Sequence, residues 1–254
     1  MSFLYDVRSV YGRHLTKLVR NPTLLGTNLL TPILFLVLFS QLLQKLNIFP
    51  GVSGSYLAYL TPGIVVMCSF IGGSLSGVSI VNDLNSGFLS KMLLTQVNRA
   101  AILAGRLLTD VTVVVVQSAI TLAVAVLMGV DIVTGVPGAV LIVATAALLD
   151  LALCGLFLYV GMKSRKTETI SAIGNAVFFP LIFVSSAMFP SSFFPSWAQT
   201  ISKYNPISYA ANVTRDLVQG GLTWNTLAPA VAVIGLIAIV TISATLFEFR
   251  RVIS

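Results

Sequence analysis

The stretch FPSSFFPSWAQTISKYNPISYAANVTRDLVQGG, residues 189–221, lies between two long apolar runs and decides how the chain folds. It is rich in proline and aromatic residues, and it is too polar to cross a bilayer. Trp and Tyr favour the headgroup zone, and irregular backbone survives at membrane depth only where protein shelters it. The stretch therefore predicts a helical hairpin that is interfacial or re-entrant.

The composition of the whole chain is that of an integral membrane protein. Of its 254 residues, 56% are hydrophobic and 9% are charged, and the mean hydropathy is +0.96, whereas soluble domains carry about 25% charged residues. A run of about 20 apolar residues matches a hydrocarbon core of about 30 Å. Six such runs predict an all-α membrane protein with six transmembrane helices, over residues 24–43, 57–81, 107–128, 136–162, 170–189 and 227–247. The remaining pieces are too short for a separate domain, so residues 1–254 are expected to form one transmembrane domain.

The basic residues set the predicted orientation, because Lys and Arg lie mostly on cytoplasmic flanks. With the N-terminus inside, all fifteen Lys and Arg except Lys45, Lys203 and Arg215 fall on the inner side. We therefore expect a multi-pass protein with both termini in the cytoplasm. The net charge of +7 is explained by this topology and by contact with anionic lipid, and nucleic-acid binding is not expected.

The chain has few residues that could perform catalysis or bind a metal. Cys68 and Cys154 lie in predicted spans, and His14 is the single histidine. The phosphate-binding motif G-x-x-x-x-G-K-[ST] does not occur, and neither does H-E-x-x-H or G-x-S-x-G. We expect no metal site, no cofactor and no enzymatic activity in this chain. Active transport would draw its energy from another chain or from an ion gradient.

Two short cytoplasmic segments are predicted to be amphipathic helices. Residues 2–19 alternate apolar and charged positions at helical spacing, which is typical of a helix lying in the inner leaflet. A short helix packed on a partner is the alternative. Between the second and third spans, a helix from about residue 86 would place four apolar side chains on one face: Phe88, Leu89, Met92 and Leu93. Either lipid and the protein's own loops cover this stripe, or it docks into a groove on a partner.

The outer segment contains clear signals for a helix start and stop. Asn205 has the character of an N-cap, and Pro206 suits the first helical position. A helix is expected from Pro206 to about Gln219, ended by the glycines at 220 and 221.

Small and polar residues within the spans allow several interpretations. Gly73 and Gly77 have the four-residue spacing that lets helices approach closely, although a polar stripe along a translocation path is the alternative.

Asp150 lies near the midpoint of the fourth span, where an ionised carboxylate costs at least about 2.5 kcal/mol. It could contact substrate, relay protons, or form an interhelical hydrogen bond with Gln117 or Asn175. Asp110, by contrast, is expected to pair with Arg106 on the same helix.

Three stretches resemble the permease subunits of type-two ABC exporters, in particular the daunorubicin-resistance-like drug and lipid exporters. YLTPGI at residues 59–64 is similar to the opening of their second span. DLNSGFLSKMLLTQVNR at residues 83–99 is similar to their cytoplasmic coupling helix, although Gln96 replaces the usual proline and Asn85 a common acidic residue. The aromatic stretch with NPISY at residues 205–209 resembles their extracellular hairpin and the signature before the last span.

The resemblance implies an assembly and roles for individual residues. It implies a homodimer or heterodimer of permeases in the inner membrane of a prokaryotic cell, joined to two cytoplasmic ATPase subunits that bind ATP and Mg. The segment in the ATPase groove would contain Gly87, Phe88, Leu89, Lys91, Met92 and Leu93. The outer gate hairpin would contain Pro190, Phe193, Phe194, Trp197, Asn205, Pro206 and Tyr209. We therefore predict an ATP-driven exporter permease for a hydrophobic or amphipathic substrate. The alternatives are an ion-gradient-driven transporter that uses Asp150 and a membrane subunit that only anchors a partner.

Overall fold

The computed structural model describes residues 3–44, 56–93, 98–221 and 223–251, and the described part of the chain is almost entirely helical. The side chain of Leu93, which was assigned to the apolar stripe, lies outside the described residues. The helices are α1 (Phe3–Val19), α2 (Pro22–Gln44), α3 (Tyr56–Asn85), α4 (Phe88–Leu93), α5 (Arg99–Leu127), α6 (Gly135–Ser164), α7 (Thr167–Phe183), α8 (Ser196–Tyr204), α9 (Pro206–Arg215) and α10 (Trp224–Arg251). A 3₁₀ turn at Ser191–Phe193 precedes α8, and a π turn at Asp216–Gly220 continues α9.

Four of the described helices, α3, α5, α6 and α10, are long and apolar enough to cross a membrane. Shorter apolar helices occur at Gly26–Leu42, within α2, and at Thr167–Phe183, which is α7. The predicted all-helical membrane protein is therefore confirmed. Helix α7 ends at Phe183, well before residue 189, where the fifth span was predicted to end.

Helix α3 is the centre of the bundle and is buried along most of its length. It packs most extensively on α6, and it also contacts α2, α5 and α7. Gly73 and Gly77 lie at the closest approach of α3 to α6, because a Cβ atom at Gly73 would come within 2.8 Å of Leu153 and one at Gly77 within 2.9 Å of Phe157. This is the close packing that their four-residue spacing predicts.

Helix α1 docks along the start of α5. Val7 and Val10 are buried, and a Cβ atom at Gly105 would come within 2.8 Å of both Val10 Cβ and the Val7 carbonyl oxygen. Phe3 and Leu4 are exposed. The amphipathic helix therefore packs on the bundle with one strip of residues and leaves other apolar side chains exposed.

Candidate functional site

A buried ion-pair network holds the predicted inner end of α3. Arg106 Nη1 of α5 donates to Asp83 Oδ2 at 2.9 Å, and Lys17 Nζ of α1 donates to Asp83 Oδ1 at 3.1 Å. Arg106 Nη2 also donates to the Ser76 carbonyl oxygen at 3.1 Å. The predicted pairing of Arg106 with Asp110 is thus wrong, because Asp83 on the neighbouring helix takes the guanidinium. Removing one partner of such a buried pair costs about 3 to 5 kcal/mol.

His14 of α1 lies beside this network and is buried. Burial, together with the positive charge of the neighbouring Arg106, lowers the pKa of His14 to about 4, and Asp83 opposes this only in part. The imidazole is therefore neutral at pH 7 and adds no charge to this end of the bundle.

The apolar stripe of α4 is largely covered by the protein itself. Gly87, at a φ of +67°, turns the chain from α3 into α4. Leu89 is 3% exposed, Met92 packs against the core, and the Arg13 guanidinium lies 3.1 Å from the centroid of the Phe88 ring. Of the two alternatives for this stripe, cover by the protein itself is therefore the one that the structure favours, because α1 and the core contact Phe88, Leu89 and Met92. Exposed residues at this corner include Asn85, Ser86 and Lys91.

A polar cluster lies deeper, between α3, α5 and α6. The Ser76 hydroxyl donates a short hydrogen bond to Asp110, and the Cys154 thiol donates to Asp150 Oδ1 at 3.3 Å. Asp150 is fully buried, and its Oδ2 has no hydrogen-bond partner in the part of the chain that the structure describes. Gly72 makes room for it, since a Cβ atom there would lie 2.7 Å from Asp150 Oδ1.

The partners predicted for Asp150 are wrong. The Gln117 side-chain amide donates to the Asn28 carbonyl oxygen at 2.7 Å and so ties α5 to α2. Asn175 is exposed on α7. Asp150 instead bonds to Cys154, one turn along its own helix, a pair that could have been found from the i,i+4 spacing alone.

At the predicted outer end of α3, side chains tie down the segment that follows α7. The Tyr56 and Tyr59 hydroxyls donate to the carbonyl oxygens of Met188 and Ser186, each at 3.1 Å. Arg215 Nη2 donates to the same Ser186 oxygen at 2.6 Å, and its guanidinium lies 3.9 Å from the centroid of the Tyr59 ring. Because side chains satisfy these carbonyls, residues 184–190 do not have to continue α7 as a helix.

We call the contacts of Tyr56, Tyr59 and Arg215 with residues 184–190 the outer tie. Gly63 permits it, because a Cβ atom there would overlap the Ala187 carbonyl oxygen. The outer tie was not predicted from the sequence. A signal for it existed, since Arg215 is one of only three basic residues on the predicted outer side.

The predicted hairpin consists of the 3₁₀ turn, α8 and α9. The Asn205 side chain accepts from Ile207 N–H at 2.9 Å, and Pro206 begins α9, so both predictions for this helix start are confirmed. Asn205 Nδ2 also donates to the Leu181 carbonyl oxygen at 2.7 Å, which fastens the hairpin to α7. Helix α9 and its π turn end at Gly220, as the glycine signal indicates.

The other hairpin residues divide by exposure. Phe193 and Trp197 are exposed, whereas Pro190, Phe194 and Tyr209 are half-buried. Along α8 the exposed apolar side chains recur at helical spacing, with Trp197, Ile201 and Tyr204 on one face. Such a face suits the interface between lipid headgroups and water.

Comparison with known proteins shows similarity across most of the chain. The family described as ABC-2 type transporter matches residues 5–218. Over 191 residues the chain is 28% identical to the daunorubicin resistance ABC transporter permease protein DrrB1 of Streptomyces coeruleorubidus, covering 75% of this chain and 67% of that protein. It is 29% identical over 220 residues to the putative transport permease ycf38 of Cyanophora paradoxa, covering 85% and 74%. It is 23% identical over 210 residues to the probable doxorubicin resistance ABC transporter permease protein DrrC of Mycobacterium tuberculosis (strain ATCC 25618 / H37Rv), covering 83% and 75%.

Proposed function

The chain belongs to the ABC-2 type transporter family, and from that membership we propose that it is the permease subunit of an ATP-driven exporter. The family match over residues 5–218 is the observation that carries the proposal, because it includes both ends of α3 and the hairpin. The proposed cargo is a hydrophobic or amphipathic molecule, such as a drug-like compound, a lipid or a lipid-linked glycan. Two of its similar proteins are named for daunorubicin and doxorubicin resistance, which supports export of apolar compounds.

We propose that residues 1–254 form one domain with six spans, in which α2 and α7 cross the membrane beside the four longer helices. Helix α7 has 17 residues, so it would rise about 25 Å and depend on the following segment to complete the crossing. The basic residues favour cytoplasmic termini. Helix α4 would then be the cytoplasmic coupling helix, and α8 and α9 the re-entrant hairpin outside. The Streptomyces and Mycobacterium relatives favour a prokaryotic cell membrane.

The proposed assembly contains two permeases and two ATPase subunits, with ATP and Mg bound on the ATPases. A second copy of this chain is the simplest partner, and a related permease would serve in a heterodimer. Because Leu89 is buried, the ATPase would contact α4 through its exposed positions, including Lys91, and not through the full apolar stripe.

In this assembly α3 would transmit force from the ATPase to the outer gate. A displacement of α4 would be transmitted to α1 through the stacking of Arg13 on Phe88. A displacement of α3 would be transmitted to α5 through the ion pair between Arg106 and Asp83. Since α3 carries Asp83 near its inner end and Tyr59 near its outer end, displacement of α3 would strain the outer tie and release the gate.

The test is reconstitution with the partner ATPase, which should give vanadate-sensitive transport. Reversing the exposed charge on α4 with Lys91→Glu should reduce transport by roughly tenfold, since a charge at the rim of an interface guides docking. Lys203→Glu is the matched control, because Lys203 is also exposed but lies on α8. Full transport by this chain without an ATPase would contradict the proposal.

The same preparation separates the two alternatives. An ion-gradient-driven transporter that uses Asp150 would lose proton-dependent transport on Asp150→Asn while its binding to the ATPase stayed unchanged. A subunit that only anchors a partner would tolerate Trp197→Ala and Tyr209→Ala with no change in transport.

A further inference from the structure

Two neighbouring cavities lie where α1 meets α2 and α5. The larger, of about 190 Å³, is bounded by α1, α2, α3 and α5, and its polar lining includes Lys17, Asn28, Asn82, Arg106 and Asp110. The smaller, of about 140 Å³, lies between α1, α2 and α5. Its walls are largely apolar, with Leu15, Val19, Leu29 and Val116 among them. Leu18, Asn28 and Val113 line both, so the two cavities adjoin.

A basic concavity on the surface of α1 borders the larger cavity at Lys17. It is lined by Gly12, Arg13, Thr16, Lys17 and Arg20, and Lys17 also lines the cavity. The three cations share one face of the helix at offsets 0, 4 and 7. Among the described residues that line this concavity there is no carboxylate.

The hydrogen-bonding groups around the cavity mouth show a surplus of donors. Both oxygens of Asp83 are already taken by Lys17 and Arg106. Asp110, at the deeper end, accepts the Ser76 hydroxyl. Arg106 is 4% exposed, yet neither its Nε nor the buried Arg13 Nη1 has a hydrogen-bond partner in the part of the chain that the structure describes. A ligand that suits these groups carries negative charge and only accepts hydrogen bonds, as a phosphate diester does.

The position of the two cavities indicates what such a phosphate is attached to. In the proposed orientation α1 lies at the inner leaflet, where lipid phosphates are found and basic residues attract anionic lipids. The apolar walls that begin at Leu18 and continue through Val113 to Val116 suit an alkyl chain. A basic surface joined to an apolar cavity matches an amphiphile with a phosphate at one end.

We infer that this region binds one acidic phospholipid of the inner leaflet, with its phosphate on Arg13, Lys17 and Arg20 and an acyl chain between α1, α2 and α5. The inference uses the orientation given under the proposed function, but lipid binding requires neither ATP nor export. Arg13 also stacks on Phe88 and Lys17 also bonds to Asp83. A bound lipid would therefore hold the junction of α1 with α3 and α4.

The test is native mass spectrometry of the full chain in detergent with added phosphatidylglycerol, phosphatidylcholine or glycerol phosphate. We expect one phosphatidylglycerol to be retained per chain. Each surface cation contributes about fivefold to the binding of an acidic lipid, so Arg20→Gln should weaken retention roughly fivefold and Lys17→Gln/Arg20→Gln roughly twenty-five-fold. Arg20 is exposed, which keeps the single variant informative if the double variant folds poorly.

Two controls separate this site from general attraction of acidic lipid. Lys166→Gln removes an exposed inner-side cation outside the cavities and should leave retention unchanged. Leu18→Trp should fill the wall that both cavities share and so weaken phosphatidylglycerol retention with every cation in place. Equal retention of phosphatidylcholine, an equal effect of Lys166→Gln, or full competition by glycerol phosphate would overturn the inference. Since no ATPase is present, these outcomes are independent of the transport test.

Discussion

At the scale of single residues, His14 predicts how stability depends on pH. The folded protein holds the pKa of His14 at about 4, against an ordinary value of 6.5. Burial is the largest cause of this shift and the charge of Arg106 on α5 the next, while Asp83 on α3 raises the pKa and Arg13 and Lys17 on the same helix lower it. Between these two values the unfolded chain binds more protons than the folded one, so stability falls as the pH drops from 6.5 toward 4. We expect the free energy of unfolding to fall by on the order of 3 kcal/mol across this window. The measurement is the midpoint temperature of thermal unfolding in detergent, which should fall with it.

His14→Gln is the variant that isolates this effect. Glutamine stays neutral, so the variant should lose less stability than the natural chain over the same pH interval, although carboxylates still titrate in both. If the two midpoints fall in parallel, His14 is not the group that titrates.

Some pairings between residues could be predicted from the sequence, and others could not. The cap of Asn205 on α9 is a local event between residues two apart, and the sequence shows it directly. The bond from Arg106 to Asp83 joins two helices, and nothing in the spacing favours it over the neighbouring Asp110. The choice depends on which carboxylate the packing of α3 on α5 presents, and that packing is a tertiary property.

At the scale of elements, the approach of residues 184–190 to α3 depends on the absence of a side chain at Gly63. A methyl group there would overlap the Ala187 carbonyl oxygen, which is backbone and cannot rotate away. Gly63→Ala should therefore displace this segment and weaken the outer tie, at a cost of about 1 to 3 kcal/mol. The measurement is the rate at which a membrane-impermeant maleimide labels Met188→Cys, which we expect to rise in the Gly63→Ala background. The natural cysteines, Cys68 and Cys154, are both buried.

Gly235→Ala provides the matched control for this experiment. Gly235 lies in α10, and a Cβ atom there would meet nothing within 4 Å. The control should leave labelling of Met188→Cys unchanged. An equal rise in both backgrounds, or no rise with Gly63→Ala, would show that the close approach does not hold the segment.

Two elements show why patterns in a sequence can mislead. The apolar stripe of α4 is present as predicted, but periodicity does not reveal what covers it, and α1 and the core do so here. The apolar run after α7 continues to residue 189, yet the helix ends at Phe183. Side chains of α3 and α9 donate hydrogen bonds to the carbonyl oxygens of the following segment. Hydropathy cannot predict these hydrogen bonds.

At the scale of the whole molecule, α3 connects two sets of polar contacts in an otherwise apolar bundle. The end of α3 that carries Asp83 bonds to α1 and α5, and the end that carries Tyr59 bonds through the outer tie. Composition and hydropathy were sufficient to predict a helical membrane protein, because burial in lipid dictates those properties directly. They could not predict that one helix carries both sets of contacts, since that follows from the register of α3 against its neighbours.

Arg215→Met tests whether the outer tie keeps the proposed export path closed. Methionine keeps much of the side-chain length but removes the donor to Ser186 and the cation above Tyr59. A hydrogen bond from a charged group is worth about 1.5 to 3 kcal/mol, so its loss should raise the population of the open gate by roughly tenfold or more. In vesicles containing the complex with its ATPase, passive leak of substrate without ATP should rise, while ATP hydrolysis continues. Lys203→Met, which removes an exposed cation from α8, should not change the leak. If Arg215→Met vesicles stay as tight as those with the natural chain, the outer tie is a structural brace and the gate lies elsewhere.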